Sequence, residues 1–247
     1  MNEIERIKKA YKKRKIEQKD KIYSYFNKGN LYIIHQRERE LLDLLKKFNF
    51  MDLSDKKILD VGCGNGGVLR EFIKYGARPE NLYGIDLLPE RVEVAKKTSP
   101  NINFTLGDAS KIPYDNEYFD IVMQFTVFTS ILDDNMKKNI ANEMLRVLKR
   151  GGIIIWYDYH MNNPKNPDVR GVKKKEIYEL FPKCEIYLKR ITLAPPLTRF
   201  IAKYSFLLCY IIEKLKFLNT HYIGIIKKYN NKTDLRDKSN HTIFITK

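Results

Sequence analysis

"KILDVGCGNGGVLREF", residues 57–72, decides the reading of this chain. An apolar run, "ILDV", reaches an acid at Asp60 and breaks into alternating glycines at Gly62, Gly64 and Gly66 before an amphipathic stretch begins. A short apolar run without alternation suits a strand covered on both faces. Glycines after it let the backbone turn tightly and let a ligand approach, and the following helix offers free N–H groups. The unit is therefore strand, loop, helix. Alone it fits a dinucleotide as well as other adenosine ligands.

The pattern continues outward. Strand-like runs recur at "NLYGID" (81–86), "INFTLGD" (102–108), "YFDIVMQFT" (118–126) and "GIIIWYDY" (152–159), and helical patterns lie between them at 67–75, 89–97 and 135–148, the last ending at Gly151-Gly152. "KCEIYLKRITL" and "HYIGIIKKY" supply two closing strands. Strands alternating with helices of this length predict an α/β fold, a Rossmann-like doubly wound sheet of seven mostly parallel strands. A basic helix over 3–28 and a second over 31–47, separated at "NKGN", form an N-terminal helical cap (1–50) before the main domain (51–229). An apolar helical insertion is expected at 195–219, and a polar tail runs from 230 to 247.

The bulk numbers exclude several classes. With 43% hydrophobic residues the chain is a folded protein rather than a disordered one. Its first residues carry acids and no apolar stretch, unlike a signal or transit peptide. Three widely spaced cysteines, without a C-x-x-C pair, read as reduced thiols of a cytoplasmic protein rather than a disulfide framework or a metal site. The net charge of +16 sits on the flanks, while residues 58–150 are close to neutral. A basic rim around a neutral centre suits an anionic partner: a phosphorylated glycan or lipid, a membrane surface, or, less well, nucleic acid.

Two further features sharpen the glycine loop. Asp86 ends the second strand, where an acid would take ribose hydroxyls, and Asp108 with Ala109 ends the third. Here the sequence resembles the class I S-adenosylmethionine-dependent methyltransferases, in particular the UbiE/type-11-like subfamily. "LDVGCGNGG", "GIDLLPERVEVAK", "LGDASKIPYDNEYFDIV" and "MLRVLKRGGIIIWYD" match its motifs in order over residues 57–159. More loosely, "HQRERELLDLL", "WYDYHMNNPKNPDVRG" and "THYIGIIKK" are similar to methyltransferases of polysaccharide and glycan assembly clusters. The resemblance implies S-adenosyl-L-methionine as cofactor. Gly62, Gly64 and Gly66 would carry its methionyl part, with Cys63 as a small loop filler and Asp60 meeting the amino group. Asp86 would accept both ribose hydroxyls, Leu87 would pack on the adenine, Asp108 and Ala109 would border its amino edge, and Gln124 and Phe125 would border the sulfonium.

An NAD reading fits less well, since the spacing is G-x-G-x-G and the later motifs would have no role. A nucleic-acid enzyme of the amino-directed kind is disfavoured because "QFTVFTS" follows the fourth strand in place of an Asn/Asp-Pro-Pro-aromatic pattern. The expected reaction is O-methylation of a sugar, with a lipid-like or quinone-like small molecule as the alternative acceptor and a nucleic-acid or non-catalytic donor-binding role behind it. A hydroxyl acceptor needs its proton taken. In "WYDYH", alternation puts Asp158 and His160 on one side, and they are expected at the edge nearest the donor, with His35, Asp133 and Asp134 as weaker candidates. Residues 197–218 are apolar nearly all round, yet their longest uncharged run, Tyr204 to Ile212, is less than half of a membrane span. They are expected to form a buried lid helix, with a bilayer-facing surface as the alternative.

Overall fold

The structure, a computed structural model, describes residues 2–16, 23–164 and 166–229. The polar tail and part of the expected first helix lie outside the described residues. Seven strands, β1 (Ile58–Val61), β2 (Leu82–Asp86), β3 (Asn103–Leu106), β4 (Phe119–Phe125), β5 (Leu148–Tyr159), β6 (Cys184–Leu193) and β7 (Asn219–Lys228), form one sheet in the order β3-β2-β1-β4-β5-β7-β6. The first five run parallel, and β7 enters antiparallel between β5 and β6. The α/β, mostly parallel sheet expected from the sequence is the one observed. Strand order reverses between β1 and β4, which opens a crevice at their C-terminal ends, the place where open α/β sheets hold ligands.

Among the described residues the sheet is accompanied by eight α-helices: α1 (Glu3–Ile16), α2 (Lys28–Lys47), α3 (Gly67–Lys74), α4 (Pro89–Thr98), α5 (Asp134–Val147), α6 (Lys174–Leu180), α7 (Pro195–Ile201) and α8 (Phe206–Ile212). On one face Leu41 of α2, Phe72 of α3 and Val92 of α4 pack with Ile121, Met123 and Ile155. On the other, Ile140 and Met144 of α5 and Ile177 of α6 pack with Leu59, Val122 and Trp156. Ile7 of α1 joins this second core. That helix is also tied down by its charges: Arg6 donates to the Ser130 carbonyl at 2.6 Å, and Glu3 accepts from the Leu132 N–H at 2.6 Å.

Several local expectations shift. Asn27 caps α2, accepting from the N–H groups of Gly29 and Asn30, so the break falls just before "KGN" rather than after it. Asp133 caps α5, accepting from the Met136 N–H. The fifth helix stops at Val147 and the chain is already strand from Leu148. Gly151 and Gly152 therefore lie inside β5, beside a register shift in its pairing with β4, not at a helix end. The buried lid expected over 197–218 is corrected more fully. Two short helices form, broken before Ser205, whose side chain caps α8. Ile201, Ala202 and Cys209 point inward to a small cluster with Tyr32 and Leu193, while Phe200, Tyr204, Leu207 and Ile211 point out. Among the described residues no helix is long and apolar enough to cross a membrane.

Candidate active site

The glycine loop is built by its hydrogen bonds. The N–H groups of Gly62 and Cys63 both donate to the Ile85 carbonyl, at 2.8 and 3.1 Å, fastening the end of β1 to β2. The Gly64 N–H donates to one carboxylate oxygen of Asp86 at 2.8 Å, and the Leu88 N–H donates to the other at 2.9 Å. Gly62 sits at φ +70°, and a Cβ there would lie 2.5 Å from Val127 Cγ2. Gly66, also left-handed, starts α3. Cys63 turns its buried side chain beneath the loop against Gly84, and burial pushes its thiol up. It fills space there, and no base stands beside it to make a nucleophile.

Two buried polar atoms beside this loop lack partners: Asp60 Oδ1 and Arg37 Nε. Burial and the neighbouring Asp86 push the Asp60 carboxyl well above the usual carboxylate range, with Arg37 opposing them. Arg37, from α2, is held by Glu71 of α3, its Nη2 donating to both carboxylate oxygens at 2.7 and 2.8 Å. An orphaned acceptor and an orphaned donor of opposite charge complement the ammonium and carboxylate of an amino acid. The residues present therefore fit the methionyl end of S-adenosyl-L-methionine.

Two cavities flank the loop. The smaller, about 130 Å³, is lined by Asp86, Leu87, Asp108, Ala109, Phe125 and Gly62, with Ile7 and Tyr11 of α1 and Met136 of α5 closing it. Asp108 accepts from the Ser110 N–H, which fixes its side chain in a tight turn. The larger, about 720 Å³, lies among α2, the ends of β4 and β5, and the start of α7. Its walls are Ile33, Ile34, Tyr157, Tyr159, Pro195 and His221, with Arg37 and Arg199 among them. Both cavities include Phe125 and Thr126.

Three expected site residues lie elsewhere. Gln124 is fully buried away from both cavities; its side-chain oxygen accepts from the Val127 N–H at 3.1 Å, so it shapes the turn after β4. Thr126 and Val127, just after β4, line the smaller cavity instead. Asp158 and His160 do share a side, but not the cavity side. Asp158 follows Ile154 and Trp156 onto the face covered by α5 and α6. It accepts from the N–H and hydroxyl of Thr129 and from the Tyr159 N–H, and burial raises its carboxyl to about 6. His160 bonds the Asn219 carbonyl through Nε2 at 2.8 Å and packs on Tyr222. Neither lines either of these two cavities. His35 is exposed on α2, and Asp133 and Asp134 serve the start of α5.

Several residues that line the larger cavity lie within the quoted motifs, Arg37, Arg91, Tyr157 and His221 among them, but apart from Phe125 no site role was expected of them. His221 stacks on Tyr157, with ring centroids 4.7 Å apart, and lies against Tyr159. Its Nδ1 meets the Thr220 hydroxyl at 3.0 Å, and Nε2 has no partner among the described residues. Burial, then His160 and Arg37, hold its imidazole well below the usual value, so it is neutral at pH 7. The available signal was "THY", at the head of a strand that inserts between two others.

Sheet order, glycine loop and paired acids together define a class I methyltransferase fold. Residues 58–152 match a family described as a methyltransferase domain. Over those residues the chain is similar to S-adenosyl-L-methionine-dependent methyltransferases, and the fold and the site imply that molecule as the cofactor. Among relatives, it is 33% identical over 115 residues to the phthiotriol/phenolphthiotriol dimycocerosates methyltransferase of Mycobacterium leprae, covering 46% of this chain and 41% of that protein. It is 29% identical over 168 residues to the ajmaline N-methyltransferase of Rauvolfia serpentina, covering 62% of this chain and 55% of that one. The chain thus spans about two-fifths and just over half of their lengths. A putative sarcosine dimethylglycine methyltransferase from Galdieria sulphuraria shares the fold, with a TM-score of 0.58, 16% identity, and coverage of 78% of this chain and 86% of that one.

Proposed function

We propose that the protein transfers a methyl group from S-adenosyl-L-methionine to a lipid-like small molecule held in the larger cavity. One observation carries this reading: a cavity of about 720 Å³, in which aromatic and aliphatic side chains stand beside Arg37, Arg91 and Arg199, opens beside the donor loop and meets the smaller cavity at Phe125 and Thr126. Apolar chambers with a few placed polar groups hold hydrophobic acceptors. The two relatives reported above, named for phthiotriol/phenolphthiotriol dimycocerosates and for ajmaline rather than for a sugar, support it.

In this reading Asp86 accepts the ribose hydroxyls, Leu87 packs on the adenine, and Asp108 and the Ala109 N–H border its amino edge. Asp60 takes the ammonium and Arg37 the carboxylate of the methionyl end, over a floor made by Gly62, Cys63, Gly64 and Gly66, with Phe125 at the reacting end. When bound, the cofactor supplies an electrophilic methyl on sulfur. Methyl transfer is an in-line displacement, so the chain's part is to align the acceptor and exclude water. His221, which lines this cavity, receives the acceptor's proton. This role passes to it from His160 and Asp158, whose side chains face the opposite side of the sheet.

The experiment is incubation with methyl-labelled donor against three acceptor sets: amphipathic lipids, sugar nucleotides with lipid-linked sugars, and RNA. Label is expected in the organic-extractable lipid fraction. His221→Ala should lower kcat by about 10²–10⁴, the usual loss of a general base, with affinity for S-adenosylhomocysteine unchanged. Label in the sugar set alone would restore the glycan reading. Full turnover by His221→Ala would remove that residue from the chemistry.

A further inference from the structure

One face of the molecule gathers apolar side chains that nothing among the described residues covers. It is formed by α7, α8, the turn after them and the segment 23–28. Phe26 is 99% exposed, Tyr204 80%, Phe217 70%, Leu207 68% and Phe200 65%. Single exposed apolar residues are ordinary, but a contiguous set marks an interaction surface. The parts are fixed to one another. Lys28 donates to the Lys203 carbonyl at 3.4 Å, Gly29 packs on the Arg199 backbone with no room for a Cβ, and Tyr32 meets Phe206 edge to face at 5.4 Å.

The charge on this face has one sign. Arg199, Lys203, Lys214 and Lys216 lie within residues 195–218, and Lys28 borders them. The one acid of that stretch, Glu213, is buried and already takes the Tyr32 hydroxyl and the Arg39 guanidinium. Partial burial and the neighbours Lys189 and Lys214 push Lys216 below its usual range, with Glu40 and Glu213 opposing them in part.

We propose that this face docks on the surface of an anionic lipid bilayer. The exposed aromatic and aliphatic side chains would enter the boundary between headgroups and acyl chains, and the lysines would meet the lipid phosphates. A second copy of the chain is the weaker occupant, because a two-fold contact would set lysines against lysines. The placement also has sense. Tyr23 and Arg199 belong both to the docking segments and to the lining of the larger cavity, so docking brings that cavity to the membrane. The proposal stands whether or not the acceptor is a lipid.

The test is pelleting of the full chain with vesicles, with no acceptor or donor present. Phosphatidylcholine vesicles containing half phosphatidylglycerol should pellet the protein, pure phosphatidylcholine much less, and about 1 M salt, where the screening length is near 3 Å, should weaken pelleting. The variant Leu207→Glu/Phe217→Glu alters two outward residues that line neither cavity. It should melt as the wild type and bind anionic vesicles at least about tenfold more weakly. Lys203→Gln/Lys214→Gln/Lys216→Gln, which leaves the apolar residues in place, should also lose binding to anionic vesicles and lose its salt dependence. Failure of the wild type to pellet would overturn the proposal, as would equal binding to both vesicle types or undiminished binding by the first variant. Light scattering that shows a dimer dissolved by that variant, without vesicle binding, would assign the face to self-association. Binding of single-stranded RNA without vesicle binding would assign it to nucleic acid.

Discussion

Replacing Asp86 with alanine separates what this carboxylate does for the protein from what it does for the ligand. Its two oxygens hold the N–H groups of Gly64 and Leu88 at 2.8 and 2.9 Å, and the side chain is buried. Alanine leaves both donors unpaired, and each unsatisfied buried donor costs about 1–3 kcal/mol. Water entering from the adjoining cavity recovers part of this, so the loss should fall near the lower end, about 2–4 kcal/mol. Asparagine keeps one acceptor and turns an N–H toward the other donor, so about half of that loss is expected. Both variants should bind S-adenosylhomocysteine more weakly by about 1.5–3 kcal/mol, because the ribose hydroxyls lose a charged acceptor. Urea unfolding with and without ligand gives the first quantity, and calorimetry gives the second. Equal stability and equal affinity in the alanine variant would refute the reasoning for both the loop and the donor. Lost stability with retained affinity would leave Asp86 as a loop brace only.

Two other perturbations follow from the same geometry. Asp158 titrates near 6 in the fold against about 4 in the unfolded chain, so its protonated form favours the native state. Its contribution is full below pH 4 and is lost as pH rises through 6, about 3 kcal/mol in all. Asp158→Asn should flatten that part of the stability profile, and parallel profiles for variant and wild type would show that Asp158 is not the titrating group. Gly62→Ala meets two penalties, about 1–2 kcal/mol for a left-handed non-glycine residue and about 1–3 kcal/mol for the crowding against Val127. A marked drop in melting temperature is expected, and unchanged melting would mean that the loop is looser than its hydrogen bonds indicate.

How much of this was legible depends on where each residue's partners lie. The strand ending at Asp60, the glycines after it and Asp86 at the end of β2 act on neighbours within one βαβ unit, so their spacing carries the information. The sheet was legible because its central strands, β1, β2 and β4, and the second half of β5 are largely apolar runs. Alternation also put Asp158 and His160 on one side, and that was right. It could not say which side, because that is set by α5 and α6 packing on Ile154 and Trp156. Gln124 misled for the same reason, since its amide turns back to brace Val127. The motifs hold several residues of the larger cavity, but not the fact that these residues meet. Arg37, Tyr157, Arg199 and His221 come from α2, β5, α7 and β7, and no local pattern marks side chains that meet only when the sheet closes. In residues 197–218 the periodicity was helical, but an apolar surface and an apolar core read alike in sequence.

Arg37 sets a limit on how this fold can be re-engineered. Its guanidinium is gripped by Glu71, lies 5.4 Å from the ring centre of Phe125 and 5.8 Å from that of Tyr157, and tempers the charge of Asp60. One side chain is thus a wall of the larger chamber and a counter-charge for the glycine loop. A designer who reshapes that chamber for a new acceptor by trimming Arg37 would also strip Glu71 and Asp60 of their shared cation. The two chambers are not interchangeable modules. A specificity change has to leave this arginine in place and work from other lining residues, such as Tyr159, Pro195 and Arg199, which come from the end of β5 and from α7.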